Sequence, residues 1–102
     1  MDAHATKHPP KKRTLDFSRC KTSQEIHKVI QKELELPQGY GQNLDALWDA
    51  ITGMMYLPAQ ITIVFRPETK QAAALLPEIQ EIAQVFQEAA AEYGEITLQL
   101  EI

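Results

Sequence analysis

The chain has 102 residues and a mass of 11.5 kDa, which is enough for one compact domain and too little for two. Hydrophobic residues make up 44% and charged residues 24%, and no apolar run approaches the roughly 20 residues of a membrane span. The single cysteine, Cys20, excludes an internal disulfide and every multi-cysteine zinc pattern. Because residues 1–14 also lack the apolar core of a secretory signal, we expect a cytoplasmic protein.

The charge is distributed unevenly along the chain, whose formal net charge is −4. Residues 1–21 sum to +4, the remaining 81 residues sum to −8, and no Lys or Arg follows Lys70. An acidic body attracts a basic partner and repels nucleic-acid phosphates, so we expect a basic protein as partner and disfavour nucleic acid. Taken alone, the acidity favours the simpler interpretation that it keeps a small protein soluble.

The N-terminal segment differs from the rest of the chain. Residues 1–13 are basic, contain Pro9-Pro10 and show no periodicity, which predicts a flexible basic arm ahead of a single domain at 14–102. Residues 13–18 alternate apolar and polar side chains and predict a first strand.

A helix is predicted next, since Thr22 or Ser23 can cap it and apolar residues then recur at three- and four-residue spacing. Pro37 is expected to stop this helix. His27 lies off the apolar stripe, so we expect it at the surface.

A loop and a second helix follow. Gly39 and Gly41 flank Tyr40, and we expect the two glycines to supply unusual backbone angles. Asn43 is a preferred N-cap for a helix over residues 44–52.

The second half of the chain predicts a strand at 60–65 buried on both faces, a short alanine-rich helical stretch, and a longer helix from Pro77 to Gly94. Its core side should consist of Ile79, Ile82, Phe86, Ala90 and Tyr93. A last strand alternates over 95–102. Strands separated by helices imply crossover connections, so the predicted fold is α/β, with a small three-stranded parallel sheet packed with three to four helices.

Two acidic residues share one face of the second helix. Asp45 and Asp49 are four residues apart, and Trp48 borders both this face and the apolar side. Like charges at this spacing cost roughly 0.2–0.5 kcal/mol, so the pair indicates either a function or merely a solvated acidic face. Because Tyr40 leads directly into this helix, the combination is typical of a protein-binding surface.

Paired carboxylates also serve in glycoside hydrolysis, but a chain of this size rarely supplies the deep cleft that this reaction needs. No further metal ligands stand near the pair, and the sequence has no phosphate-binding glycine loop or nucleophile motif. We therefore expect neither an enzyme nor a cofactor or metal site.

Residues 33–53 closely resemble the signature of the barstar family, intracellular inhibitors of the ribonuclease barnase. The resemblance is strongest in the sequence Tyr-Gly-Gln-Asn-Leu-Asp-Ala-Leu-Trp-Asp at 40–49, and it extends from about residue 15 to the end. It implies a barstar-like α/β fold, a chain that is monomeric when free, and tight non-covalent blocking of a basic ribonuclease active site.

The resemblance also implies which residues contact the enzyme. Asp49 matches an aspartate that stands in for a substrate phosphate, Asp45 matches a second acidic contact, and Glu88 matches an acid on the last long helix. The remaining contact positions lie in or beside the loop: Gly39, Tyr40, Gly41, Asn43 and Trp48. Family members commonly carry an aromatic residue where Gly39 stands, which implies less stacking area against the enzyme here.

Three classes of function follow. The leading hypothesis is a one-to-one inhibitor, or immunity protein, for a secreted or toxin ribonuclease. The alternative is a non-enzymatic interaction or regulatory adaptor that binds another toxin, or RNA through the basic arm at 1–13. A small carboxylate enzyme is the third possibility.

Overall fold

The computed structural model describes residues 11–53 and 58–102. Residues 1–10 of the predicted arm, and residues 54–57 before the second strand, lie outside the described part. The elements follow the order β1 (Lys11–Asp16), α1 (Ser23–Glu33), α2 (Leu44–Gly53), β2 (Ala59–Val64), α3 (Lys70–Ala73), α4 (Leu76–Tyr93) and β3 (Ile96–Glu101).

The three strands form one sheet in the order β1-β2-β3, and both pairs of neighbours are parallel. In this register Ile63 of β2 lies between Leu15 of β1 and Leu100 of β3. Helices α1 and α2 connect β1 to β2, and α3 and α4 connect β2 to β3. The predicted α/β fold, with a three-stranded parallel sheet, is confirmed.

Within residues 11–53 and 58–102, strand β2 is buried on one face and half-buried on the other. Ile61 and Ile63 of β2 are 1% and 0% exposed, whereas Thr62 and Val64 are half-buried. Right-handed crossovers between successive neighbouring strands place all the helices on the same side of a sheet. The prediction that this strand is buried on both faces is therefore wrong.

Strand β1 begins at Lys11, two residues before the predicted start. Lys11 pairs with Ala59, its N–H donates to the Pro58 carbonyl oxygen at 3.0 Å, and Lys12 pairs with Gln60. Both lysine side chains are exposed, but a strand ladder needs only main-chain groups and tolerates lysine at an edge. These two residues therefore extend the predicted first strand at its N-terminal end.

Helix α1 ends at Glu33, earlier than the predicted stop at Pro37. The N–H of Leu36 donates to the Gln31 carbonyl at 2.9 Å, and the N–H of Glu35 donates to the Lys32 carbonyl at 3.3 Å. This is a Schellman motif, with Glu35 in the left-handed position at φ 56°. The motif turns the chain before the proline is reached.

Helix α4 carries much of the core. Pro77 lies in its first turn and Gly94 caps its end at φ 70°, both as predicted. Ile79, Ile82 and Phe86 are fully buried. The prediction that Tyr93 belongs to the core is wrong, because the last turn extends beyond the core and leaves this side chain 46% exposed.

Candidate functional site

The site begins at Asn43, whose side chain connects the loop to helix α2. Its Oδ1 accepts from the Ala46 N–H at 2.7 Å, and its Nδ2 donates to the Gly41 carbonyl at 3.2 Å. The first bond satisfies an N–H that lacks a partner at the start of every helix. The predicted N-cap is confirmed, and the start of α2 is fixed relative to the loop.

The backbone angles of the loop differ from those predicted for its two glycines. Neither Gly39 nor Gly41 lies in the left-handed region, whereas Gln42 does, at φ 56°. A non-glycine residue accepts this conformation at a cost of roughly 1–2 kcal/mol. Gly41 has a different constraint, because a Cβ there would lie 3.1 Å from the Ala46 Cβ, which is closer than ordinary van der Waals contact.

Tyr40 is directed into the protein. Its side chain is 7% exposed, and its hydroxyl lies 2.9 Å from Nδ1 of His27. Burial raises the pKa of Tyr40 to about 12, so the hydroxyl stays protonated and can donate to Nδ1. The loop is thereby tied to helix α1.

His27 is 4% exposed, so the prediction that it lies at the surface is wrong. Its Nε2 faces Oε2 of Glu78 at 3.8 Å, and the Ser23 hydroxyl donates to the same carboxylate oxygen. Burial lowers the pKa of His27, and the charge of Glu78 partly opposes that shift. The residue escaped prediction because the helix pattern of α1 contains no information about Tyr40, which covers it.

Helix α2 separates its apolar and acidic sides. Leu47, Ala50 and Ile51 are buried, whereas Asp45 and Asp49 are both exposed. Neither carboxylate forms a hydrogen bond or ion pair with another residue in the ranges 11–53 and 58–102. Both are therefore available to a partner, on a helix whose opposite side is held by the core.

The other predicted contact residues differ in their exposure and local contacts. Trp48 is half-buried, and its ring centroid lies 6.4 Å from that of Tyr93. Glu88 is exposed on α4, which packs against α2, and it accepts from Nε2 of Gln84 at 3.3 Å. Gly39 is exposed, with open space around it. The structure thus exposes seven of the eight predicted positions at least in part, and buries Tyr40.

Asp45 and Asp49 do not line the best-formed cavities of the described residues. Three of these cavities have volumes of about 450, 350 and 200 Å³, and neither aspartate contributes to any of the three. The same residues contain no cluster of side chains able to hold a metal ion. No described helix is long and apolar enough to cross a membrane.

The observed architecture defines a small α/β protein with two exposed carboxylates on helix α2. Comparison with known proteins identifies the particular family. The family model described as Barstar (barnase inhibitor) matches residues 11–102, so the chain belongs to the barstar family. This is a family of inhibitors, and membership supports a role in ribonuclease inhibition.

A curated relative agrees with this assignment. The chain is 36% identical over 67 residues to a protein of Bacillus subtilis (strain 168) named "Putative ribonuclease inhibitor YrdF". The match covers 66% of this chain and 71% of that protein.

Proposed function

We propose that this chain is a one-to-one inhibitor of a basic ribonuclease of the barnase class, and that the exposed face of α2 blocks the active site. The observation that carries the proposal is the placement of Asp45 and Asp49 on the outer side of a helix anchored in the core. A ribonuclease cleft must be cationic to bind phosphate. Carboxylates on a rigid helix form charge-assisted hydrogen bonds there with little ordering cost.

The neighbouring residues have different roles in this proposal. Gly41 and Asn43 form the turn that enters the cleft ahead of the carboxylates, and Trp48 packs beside them. Glu88 contributes a further charge from α4. Tyr40 is a positioning residue, because its buried hydroxyl holds the loop through His27.

The proposal gives the protein a protective role. As an immunity protein it acts in the cytoplasm of the cell that makes the nuclease, and it is monomeric until it meets that enzyme. The acidic composition of the domain supports a basic protein as partner rather than a nucleic acid.

Titration of barnase tests the proposal. Increasing amounts of the full chain are added to micromolar barnase in low-salt buffer, and RNA hydrolysis is followed. We expect activity to disappear at one equivalent of the chain. Full activity at a tenfold molar excess would contradict the proposal.

The variant Asp49→Ala tests the acidic face itself. We expect the inhibition constant to rise at least about 30-fold, or about 2 kcal/mol, because a fully desolvated cation in the enzyme loses its partner. This magnitude is typical of interface hot spots, for which barnase and barstar are themselves a standard case. The matched control is Glu68→Ala, which removes one exposed carboxylate before α3. Equal effects of the two variants would show that only net charge matters.

A further inference from the structure

An exposed aromatic ring stands at the end of helix α4. Tyr93 is 46% exposed, and its ring contacts that of Trp48 with a centroid distance of 6.4 Å and an interplanar angle of 51°. Tilted pairs at this separation are attractive, so Trp48 restricts the orientation of the tyrosine. Because Asp49 directly follows Trp48, this aromatic pair borders the acidic face of α2.

The sequence around Tyr93 is acidic. Glu92 and Glu95 flank it in the chain, and no Lys, Arg or His follows Lys70. The last turn of α4 contains no basic residue, although the carbonyl groups at a helix C-terminus carry partial negative charge and favour a cation. No side chain of this last turn therefore offsets the partial negative charge of the helix end.

We infer that Tyr93, held by Trp48, anchors an arginine or lysine side chain of the ribonuclease beside the acidic face. The inference rests on the function proposed above. A guanidinium or ammonium group stacked on the exposed ring gains a cation–π interaction. The same group would neutralise the C-terminal end of α4 and face the carboxylate of Glu92.

The acidic residues next to Tyr93 favour a basic side chain over the other groups that can pack on an exposed aromatic ring. A nucleotide base can stack on tyrosine, but its phosphate would meet Glu92, Glu95 and the helix C-terminus. A second copy of the chain would bring the same negative groups together. A purely apolar partner would leave those carboxylates without a counter-charge.

Two substitutions separate the aromatic ring from simple apolar contact. Tyr93→Phe keeps the ring, and we expect its dissociation constant for barnase to stay within about twofold of the wild-type value. Tyr93→Leu keeps an apolar side chain without the ring, and we expect about tenfold weaker binding by titration calorimetry. Tyr93→Gln provides a second ring-free variant. Ile102→Ala is the control, since it truncates another exposed apolar side chain and should leave binding unchanged.

The outcomes separate this inference from the proposed function. Wild-type binding by Tyr93→Leu and Tyr93→Gln, alongside weak binding by Asp49→Ala, overturns the anchor and leaves the inhibitor role intact. Equal weakening by Tyr93→Phe and Tyr93→Leu also overturns it, because the ring would then not be the contact. A wild-type dimer that Tyr93→Leu dissociates in sedimentation would assign the ring to a second copy. Failure of wild-type binding would overturn both proposals.

Discussion

The contact between His27 and Tyr40 joins two parts of the chain that are separated by a helix end and a loop. An ordinary buried hydrogen bond contributes about 1 kcal/mol, and leaving one of its partners unpaired costs about 1–3 kcal/mol. The bond therefore keeps the loop close to α1 at the point where it turns into α2. The neutral imidazole is the form that this buried position favours.

The pH dependence of stability should reveal His27. Its folded-state pKa lies below the ordinary value of 6.5, because burial disfavours the charged form. As the pH falls through 6.5 the unfolded chain takes up a proton before the folded chain does, so the free energy of unfolding decreases. We expect His27→Gln to flatten this decrease between pH 7 and pH 5, as measured by urea denaturation.

The lowered pKa of Asp16 does not interfere with that experiment. Hydrogen bonds from Ser18 lower the pKa of this carboxyl from 3.8, so its contribution to stability is lost only under more acidic conditions. An unchanged slope in His27→Gln would show that the imidazole is not the group responsible.

The helix ends determine the position of the proposed binding segment, which consists of α2 and the loop before it. Helix α1 ends in a Schellman motif with Glu35 in the left-handed position, and the ion pair between Arg13 and Glu35, at 2.8 Å, links that turn to β1. Helix α4 ends at Gly94 with φ 70°. Among the described residues, two of the three left-handed positions are occupied by a residue other than glycine, so the turns could not be located from the glycines alone.

Gly94→Ala tests the end of α4. A Cβ is disfavoured at φ 70°, so we expect the free energy of unfolding to fall by roughly 1–2 kcal/mol. Gly39→Ala is the control, since Gly39 lies outside the left-handed region with nothing within 4 Å of the added atom, and its effect should stay within about 0.5 kcal/mol. The denaturation midpoints at constant m-value measure both effects. Similar losses in the two variants would contradict the assigned role of the left-handed cap.

For the whole molecule, the main electrostatic property is the acidic domain that follows a basic N-terminal segment. Residues 22–102 carry a formal charge of −8, and Asp45 and Asp49 add their charge at the surface where binding is proposed. Complementary charge of this kind accelerates the encounter of two proteins and is screened by salt.

We therefore expect the association rate with barnase to fall at least about tenfold between 20 mM and 500 mM salt. The dissociation rate should change much less, because contacts made in the complex are shielded from solvent. Stopped-flow fluorescence can measure both rates. An association rate that does not depend on salt would exclude electrostatic steering.

Much of the fold follows from the sequence because the signals are local or topological. The Asn43 cap, the proline and glycine at the ends of α4, and the parallel sheet are each determined by a residue type or by the alternation of strands and helices. The motif at 40–49 also indicated the candidate site. Burial within that site was not predictable, because it depends on neighbours distant in the chain: Tyr40 covers His27, and the end of α4 carries Tyr93 beyond the core.

The two hydrogen bonds of Asn43 have a consequence for which amino acids this position can accept. Aspartate would cap the helix equally well, but it offers no donor to the Gly41 carbonyl and would oppose oxygen to oxygen. Serine and threonine have one short hydroxyl in place of two separate polar atoms. A primary amide provides both a donor and an acceptor in one planar group, so a single CONH₂ group joins the loop to the first turn of the helix that carries the two carboxylates.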